Sequence, residues 1–420
     1  MGQAPTRLLG PVALFALGLN GVVGVGIFFV PASVAQQVPG APGALVYVLT
    51  ALACVPIAWS FARLGPRFDE DGGPYVYARA AFGPRVAFVM GWLTYVSAVF
   101  STAAVIRGLS EALTTGGSVS LPPRAVASIV VLLLTLLVAV GLRVTAWAWT
   151  GITVAKLVPL ACLIAAWLWM TGSLPEPVAG MAENSPDASS FLRAGLIVLF
   201  ALQGFEIIAV PAGHVRSRRS IATATMMVLG VAVALYVALH LACVRALPDL
   251  AGSASPIVDA ARVYGGDWLA RALYVGTSLS AGGIALGMVA MSPRYLSTLG
   301  RADGLGEWLG SNNERGVPMR ALVLTSLAVF GLVQVGRLDQ LFAMASIAVL
   351  AQYGSTSASL VWMAVKGRLG LGRIDVAVGL LALACVLVVM TGATFLELVR
   401  AGAVVLAGVV VKVVVGRRAR

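Results

Sequence analysis

The stretch N-G-V-V-G-V-G-I-F, Asn20 to Phe28, sits in the middle of an apolar run long enough to cross a bilayer, and its reading decides the rest. Gly21, Gly24 and Gly26 fall within six residues, and each lowers helix propensity by about 1 kcal/mol relative to Ala. Lipid offers a loosened backbone no hydrogen-bonding partner, so a break at this depth must face protein or a water-filled cavity. Amides freed at the start of the second half-helix carry the positive end of its dipole and suit a carboxylate. The competing reading is that the glycines only let two helices pack closely. The stretch by itself does not separate the two.

The surrounding composition is that of a polytopic membrane protein. Across 420 residues the chain is 59% hydrophobic and 11% charged, with a mean hydropathy of +0.94; this excludes an ordinary soluble fold. The first apolar run is too long for a cleavable signal peptide and leads into the break rather than to a small-residue cleavage site. Cys54, Cys162, Cys243 and Cys385 all lie in apolar runs, where neither a disulfide framework nor metal-ligand spacing is expected. The net charge of +12 comes from basic residues scattered between apolar segments, not clustered with aromatics, so no nucleic acid partner is implied.

Twelve spans can be placed: Pro11–Gln36, Pro42–Leu64, Val86–Leu113, Arg124–Gly141, Trp147–Thr171, Phe191–Gly213, Ile221–Ala246, Leu269–Leu299, Arg320–Val335, Leu338–Val365, Ile374–Thr391 and Leu396–Val415. With both termini inside, about 20 of the 29 Lys and Arg fall on the cytoplasmic side, as the positive-inside rule requires. After the second span, Y-V-Y-A-R-A-A-F has the pattern of a short interfacial helix. Ser253 to Tyr264, with Ser255-Pro256 at its start, predicts a short helix over the outer mouth.

The sixth span, F-A-L-Q-G-F-E-I-I-A-V-P-A-G-H (Phe200 to His214), is the second one weakened by glycine, with Gly204 near mid-depth and Pro211 beyond it. Two such spans about five helices apart fit an inverted repeat whose broken helices meet at a midplane site. Two ionisable groups lie deep within the apolar runs, Lys156 and Glu206. An intramembrane charge costs about 2.5–3.5 kcal/mol on insertion scales, so each needs a partner, water or a changed protonation state. Lys156 can snorkel to an interface or gain and lose a proton at depth. Glu206 can be a hydrogen-bonded acid that stabilises the break, a partner for Lys156, or a proton carrier. His240 and His214 are weaker candidates, since a lone His in an apolar helix is usually packed and hydrogen-bonded.

Together these residues resemble the amino acid-polyamine-organocation (APC) superfamily. The resemblance is carried by V-G-V-G-I-F (Val23–Phe28), G-G-P-Y-V-Y-A-R-A-A-F-G (Gly72–Gly83), F-A-L-Q-G-F-E (Phe200–Glu206) followed by V-R-S-R-R-S-I (Val215–Ile221), and S-P-R-Y-L (Ser292–Leu296). It implies an all-α membrane protein of LeuT-type fold, a single domain over 1–420. Repeat one would cover about 11–171, repeat two about 191–365, and two further helices about 374–415, with helices 1 and 6 discontinuous. It places a substrate carboxylate on the amides of Gly24, Val25 and Gly26, with Val23 in the same break. The amino group would lie on carbonyls of Val22, Phe200 and Gln203, with Ala201 and Gly204 alongside and Phe200 as an aromatic gate. It assigns Lys156 the place of the sodium ion of sodium-dependent relatives, with Ser280 its expected hydroxyl partner and Glu206 a second coupling group. Family members usually carry Ser or Ala where this chain has Val25, which removes one side-chain hydrogen bond to the carboxylate.

The expected function is secondary transport of a neutral amino acid across the cell (inner) membrane, coupled to protons, with no cofactor and no catalytic or metal site. Around the breaks Gln203 is the main uncharged polar group and Glu206 the sole acid, which suits neither a cationic nor an acidic substrate. The alternatives are exchange or export without proton coupling, and a sensor that binds without transporting. An enzyme is disfavoured because no paired carboxylates or nucleophile–base set is present.

Overall fold

The computed structural model describes residues 11–24, 26–68, 73–115, 120–141, 146–170, 186–209, 218–302 and 305–418. Among these every regular element is helical: α1 (Pro11–Val22), α2 (Gly26–Ala35), α3 (Gly43–Leu64), α4 (Pro74–Phe82), α5 (Pro84–Thr115), α6 (Pro123–Ala139), α7 (Ala146–Met170), α8 (Ala188–Leu202), α9 (Arg218–Ala246), α10 (Pro256–Ala302), α11 (Glu307–Gly310), α12 (Met319–Val335), α13 (Leu338–Val365), α14 (Arg373–Met390) and α15 (Phe395–Arg418). Proline opens α1, α4, α5, α6 and α10, where its fixed φ suits the first turn and its missing N–H is not needed. Asp187 caps α8: its carboxylate accepts from Ser190 N at 2.9 Å, and this bond, with those from the Ser190 and Ser189 hydroxyls, holds the acid below its ordinary range.

Six of the described helices are long and apolar enough to cross a membrane, and α1 with α2, bent by 44° across their break, makes a seventh. The apolar helices α6, α8 and α12 are shorter, 17, 15 and 17 residues. Leu380, Leu381, Leu387 and Val388 on α14 are each more than half exposed; such a face is unfavourable in water and natural against lipid tails.

At the centre α13 packs on α5, α14, α4 and α8, while α3 packs on α9 and α14. Two bidentate ion pairs fasten the last helices to this centre. Arg63 on α3 meets Asp375 on α14 at 2.5 and 2.8 Å, and Arg193 on α8 meets Glu397 on α15 at 2.6 and 2.9 Å.

The expected interfacial helix is α4, closed by Gly83 at φ 85°. The expected short helix and the expected eighth span from Leu269 are joined in one element, α10. Helical structure begins at Pro256, and Gly266, at φ 66° and ψ −164°, divides α10 into a first part over 256–265 and a long second part. That first part is the predicted Ser253–Tyr264 helix, and Ser253 Oγ donates to Asp259 Oδ2 at 2.7 Å at its start.

Candidate substrate and coupling site at the paired helix breaks

Both glycine-weakened spans are interrupted. After α1, Val23 and Gly24 leave the helix; Gly24 N donates to Val22 O at 2.7 Å before α2 begins at Gly26. After α8, Gln203 is extended (φ −61°, ψ 151°), Gly204 takes φ 117°, and a short 3-10 turn runs from Phe205 to Ala209. Val25, Pro211 and His214 lie outside the described residues.

The two interruptions touch main chain to main chain. A Cβ on Gly204 would stand 2.6 Å from Gly21 C and O, and φ 117° is itself open only to glycine. A Cβ on Gly26 would stand 3.0 and 3.1 Å from Ala201 Cα and Cβ and 3.2 Å from Phe200 Cδ1. Close packing and helix interruption are therefore one arrangement here, not alternatives.

A helix C-terminus leaves carbonyls without intrahelical donors and carries a partial negative charge. The Tyr236 hydroxyl of α9 meets Val22 O at 2.7 Å and Ala201 O at 2.9 Å. One phenolic proton serves one carbonyl at a time, so Tyr236 is shared between the ends of α1 and α8. Lys156, only 1% exposed, donates from Nζ to Val23 O at 2.5 Å and to Asn20 Oδ1 at 2.9 Å. The ammonium thus stays at depth instead of snorkelling, on the negative end of α1.

The expected Lys156–Ser280 hydrogen bond is corrected. Ser280 is fully buried, and its hydroxyl has no partner among the described residues. Gly276 lets α10 pack its backbone on Ala155 O, but the lysine beside it turns toward α1. A carbonyl and an amide oxygen at a helix C-terminus are better acceptors for a cation than a hydroxyl that also donates.

Glu206 does not pair with Lys156 either. Its Oε2 accepts from Gly204 N and from the Tyr353 hydroxyl of α13, both at 2.8 Å. The Phe200 ring faces Phe342 of α13, centroids 4.4 Å apart and planes at 34°. Gln203 Nε2 donates to Ser101 Oγ at 3.4 Å, and its buried Oε1 has no partner among the described residues. Tyr236, Tyr353, Phe342, Ser101 and the role of Asn20 were not foreseen. Tyrosine, serine and asparagine bring polar atoms into apolar runs without the cost of a charge, so nothing in the sequence marks them out.

A small cavity lies beyond the start of α2, lined by Phe28, Phe29, Ala112, Tyr274, Thr277 and Ser278 among others; none of the predicted substrate residues lines it. A family model described as amino acid permease matches residues 9–410. The chain belongs to the amino acid permease family.

This permease is accordingly a multi-pass membrane protein of the APC superfamily that serves amino acid transport. An uncharacterized transporter of Mycobacterium tuberculosis is 30% identical over 99% of this chain and 93% of its own length. The vacuolar cationic amino acid transporter 2 of Arabidopsis thaliana is 25% identical over 86% of this chain and 60% of its own length. An arginine/ornithine antiporter of Pseudomonas aeruginosa is 26% identical over 78% of this chain and 71% of its own length.

Proposed function

We propose that this permease is a secondary active transporter that carries a neutral amino acid by alternating access, with proton gain and loss at Lys156 and Glu206 as the coupling. One observation carries the proposal: two interrupted spans meet backbone to backbone at Gly21 and Gly204, with a buried cation held on the first interruption. The substrate carboxylate takes the amides of Val25 and Gly26 at the positive end of α2, and that of Gly24 when its bond to Val22 O opens. Its ammonium takes carbonyls of Val22, Phe200 and Gln203 at the negative ends of α1 and α8. Val23, Ala201 and Gly204 complete the wall, and Phe200, backed by Phe342, closes it.

In this reading there are twelve spans in a single domain over 1–420. The pair α1–α2 is the first and α8 with its following turn the sixth. Repeat one covers about 11–171, repeat two about 191–365, and α14 and α15 follow as two further helices at about 374–415. Both termini face the cytoplasm, and the membrane is the cell (inner) membrane.

A neutral substrate is supported by the commitment of the acid at the breaks. Among the described residues Glu206 is the only carboxylate in α1, α2, α8 and the 205–209 turn, and it already serves Gly204 N and Tyr353. Relatives named for cationic substrates oppose this point, and the antiporter among them favours a second reading, exchange with Lys156 as a fixed cation. Uptake into proteoliposomes across a panel of amino acids, with and without an imposed pH gradient, decides between them. Uptake of a neutral amino acid that rises with the gradient supports the proposal; gradient-independent exchange of arginine replaces it with the second reading.

A further inference from the structure

The proposed coupling leaves one buried titratable cluster unused, where α3 meets α9. His240 is completely buried on α9, one turn beyond Tyr236 and on the same face. Its Nε2 lies 3.4 Å from Gly40 O, in the turn between α2 and α3. Gly43 makes room for the ring, since a Cβ there would stand 2.4 Å from Nε2. Its Nδ1 has no partner among the described residues, and neither has the buried hydroxyl of Tyr47 on α3. The two rings lie 5.3 Å apart, and Tyr47 in turn meets the edge of Tyr236 at 6.2 Å. A chain of three rings thus runs from the carbonyls of both breaks to the α2–α3 turn.

We propose that His240 is a second proton-binding site, and that its protonation loosens the α3–α9 seam that holds Tyr236 across the two breaks. A neutral imidazole with its proton on Nε2 donates to Gly40 O and leaves Nδ1 as a bare acceptor. A proton taken up at Nδ1 makes a second donor, and the hydroxyl of the neighbouring Tyr47, itself without a partner among the described residues, can accept from it. The surrounding charges do not supply a counter-ion. On α8, Arg193 is tied to Glu397; on α7, Lys156 is tied to Asn20 and Val23. On the first part of α10, Asp259 holds Ser253 and faces Arg262, and the Tyr264 hydroxyl donates to Ala242 O. On α9 itself the remaining titratable groups near the ring are Tyr236, Cys243 and Arg245. A buried imidazolium lacking a carboxylate is stabilised by water, so acid at the end of α9 where His240 lies favours the arrangement in which the seam opens.

The link to transport rests on the function proposed above; proton binding does not. The chain has two histidines, so H214Q leaves His240 as the only one. Nitrogen-15 histidine NMR of that variant in nanodiscs should show the Nε2–H tautomer at pH 8 and a doubly protonated ring on acidification, with a midpoint below the ordinary imidazole value of about 6.5 because burial without a counter-ion opposes the charge. A ring that stays neutral down to pH 5 overturns the proposal, whatever the protein transports. In proteoliposomes at equal pH on both sides, exchange should rise severalfold from pH 7.5 to 5.5 in the wild type. Lys156 and Glu206 keep their own share of that ratio, which should at least halve in H240Q and fall in the same direction in Y47F. A wild-type ratio in both variants overturns the link to the seam. If H240Q is not recovered in the membrane, Y47F and the NMR titration still decide. If the wild type exchanges no amino acid, the transport reading fails and the titration alone judges the proton site.

Discussion

Replacing Tyr236 with Phe is the sharpest test of the paired breaks. The ring and its packing are kept, so no cavity forms; only the hydroxyl between Val22 O and Ala201 O is lost. A buried acceptor stripped of its donor costs about 1–3 kcal/mol, and one phenolic proton serves one of the two carbonyls at a time, so the loss is about 1–3 kcal/mol rather than twice that. If the ends of α1 and α8 converge on the hydroxyl in one transport state only, the balance between states moves by a factor of about 5 to 150, at about 1.4 kcal/mol per tenfold. The assay is substrate exchange in proteoliposomes, with apparent affinity measured separately from each side. Y236F should weaken affinity about tenfold on one side more than on the other, with a melting temperature within about 4 °C of the wild type. Equal, wild-type affinities on both sides would show that Tyr236 does not distinguish the states and refute the reasoning.

Lys156→Met removes the donor from both Val23 O and Asn20 Oδ1; bonds from a charged donor are worth about 1.5–3 kcal/mol each. Uptake driven by a pH gradient should fall to background while exchange persists about ten- to a hundredfold slower, as tracer flux with and without the gradient will show. Glu206→Gln should fold and bind substrate, because a single oxygen, Oε2, accepts both bonds and an amide oxygen can replace it; it should lose response to the gradient, whereas Glu206→Ala should also lose binding. Gly204→Ala drives a Cβ into the Gly21 backbone at φ 117° and should sharply reduce the yield of folded protein, about 1–3 kcal/mol arising from the dihedral alone. Gly282→Ala, where a Cβ meets nothing within 4 Å, should be recovered at the wild-type level by size-exclusion chromatography.

The parts of this arrangement visible in the sequence are those with a local cost. Glycines inside an apolar run weaken a helix wherever they fall, and a lysine or glutamate at mid-depth is expensive in any fold, so Asn20–Phe28, Gly204, Lys156 and Glu206 stood out. What answers that cost was not visible. Tyr236 lies 214 residues from Val22, and Tyr353 lies 147 from Glu206. Neither pairing leaves a periodicity in the chain, and a tyrosine in an apolar helix raises no alarm because its ring is at home there. The partner of Lys156 is missed for a related reason: the resemblance offers the Ser280 hydroxyl, while the carbonyl that holds the ammonium, Val23 O, is set free only by the interruption of α1. Pro256, which opens α10 well before Leu269, was legible, but the join at Gly266 was not, since only a backbone dihedral marks it.

The two readings of the first glycines follow from the same physics. An interrupted helix inside a membrane exposes carbonyls and amides that must be answered. The nearest answer is a second backbone brought so close that a side chain on either would bar it. Gly21 against Gly204 makes that approach, and the Tyr236 hydroxyl and the Lys156 ammonium answer the carbonyls on its flank. A site of bare peptide groups in lipid therefore requires the close packing that looked like its rival.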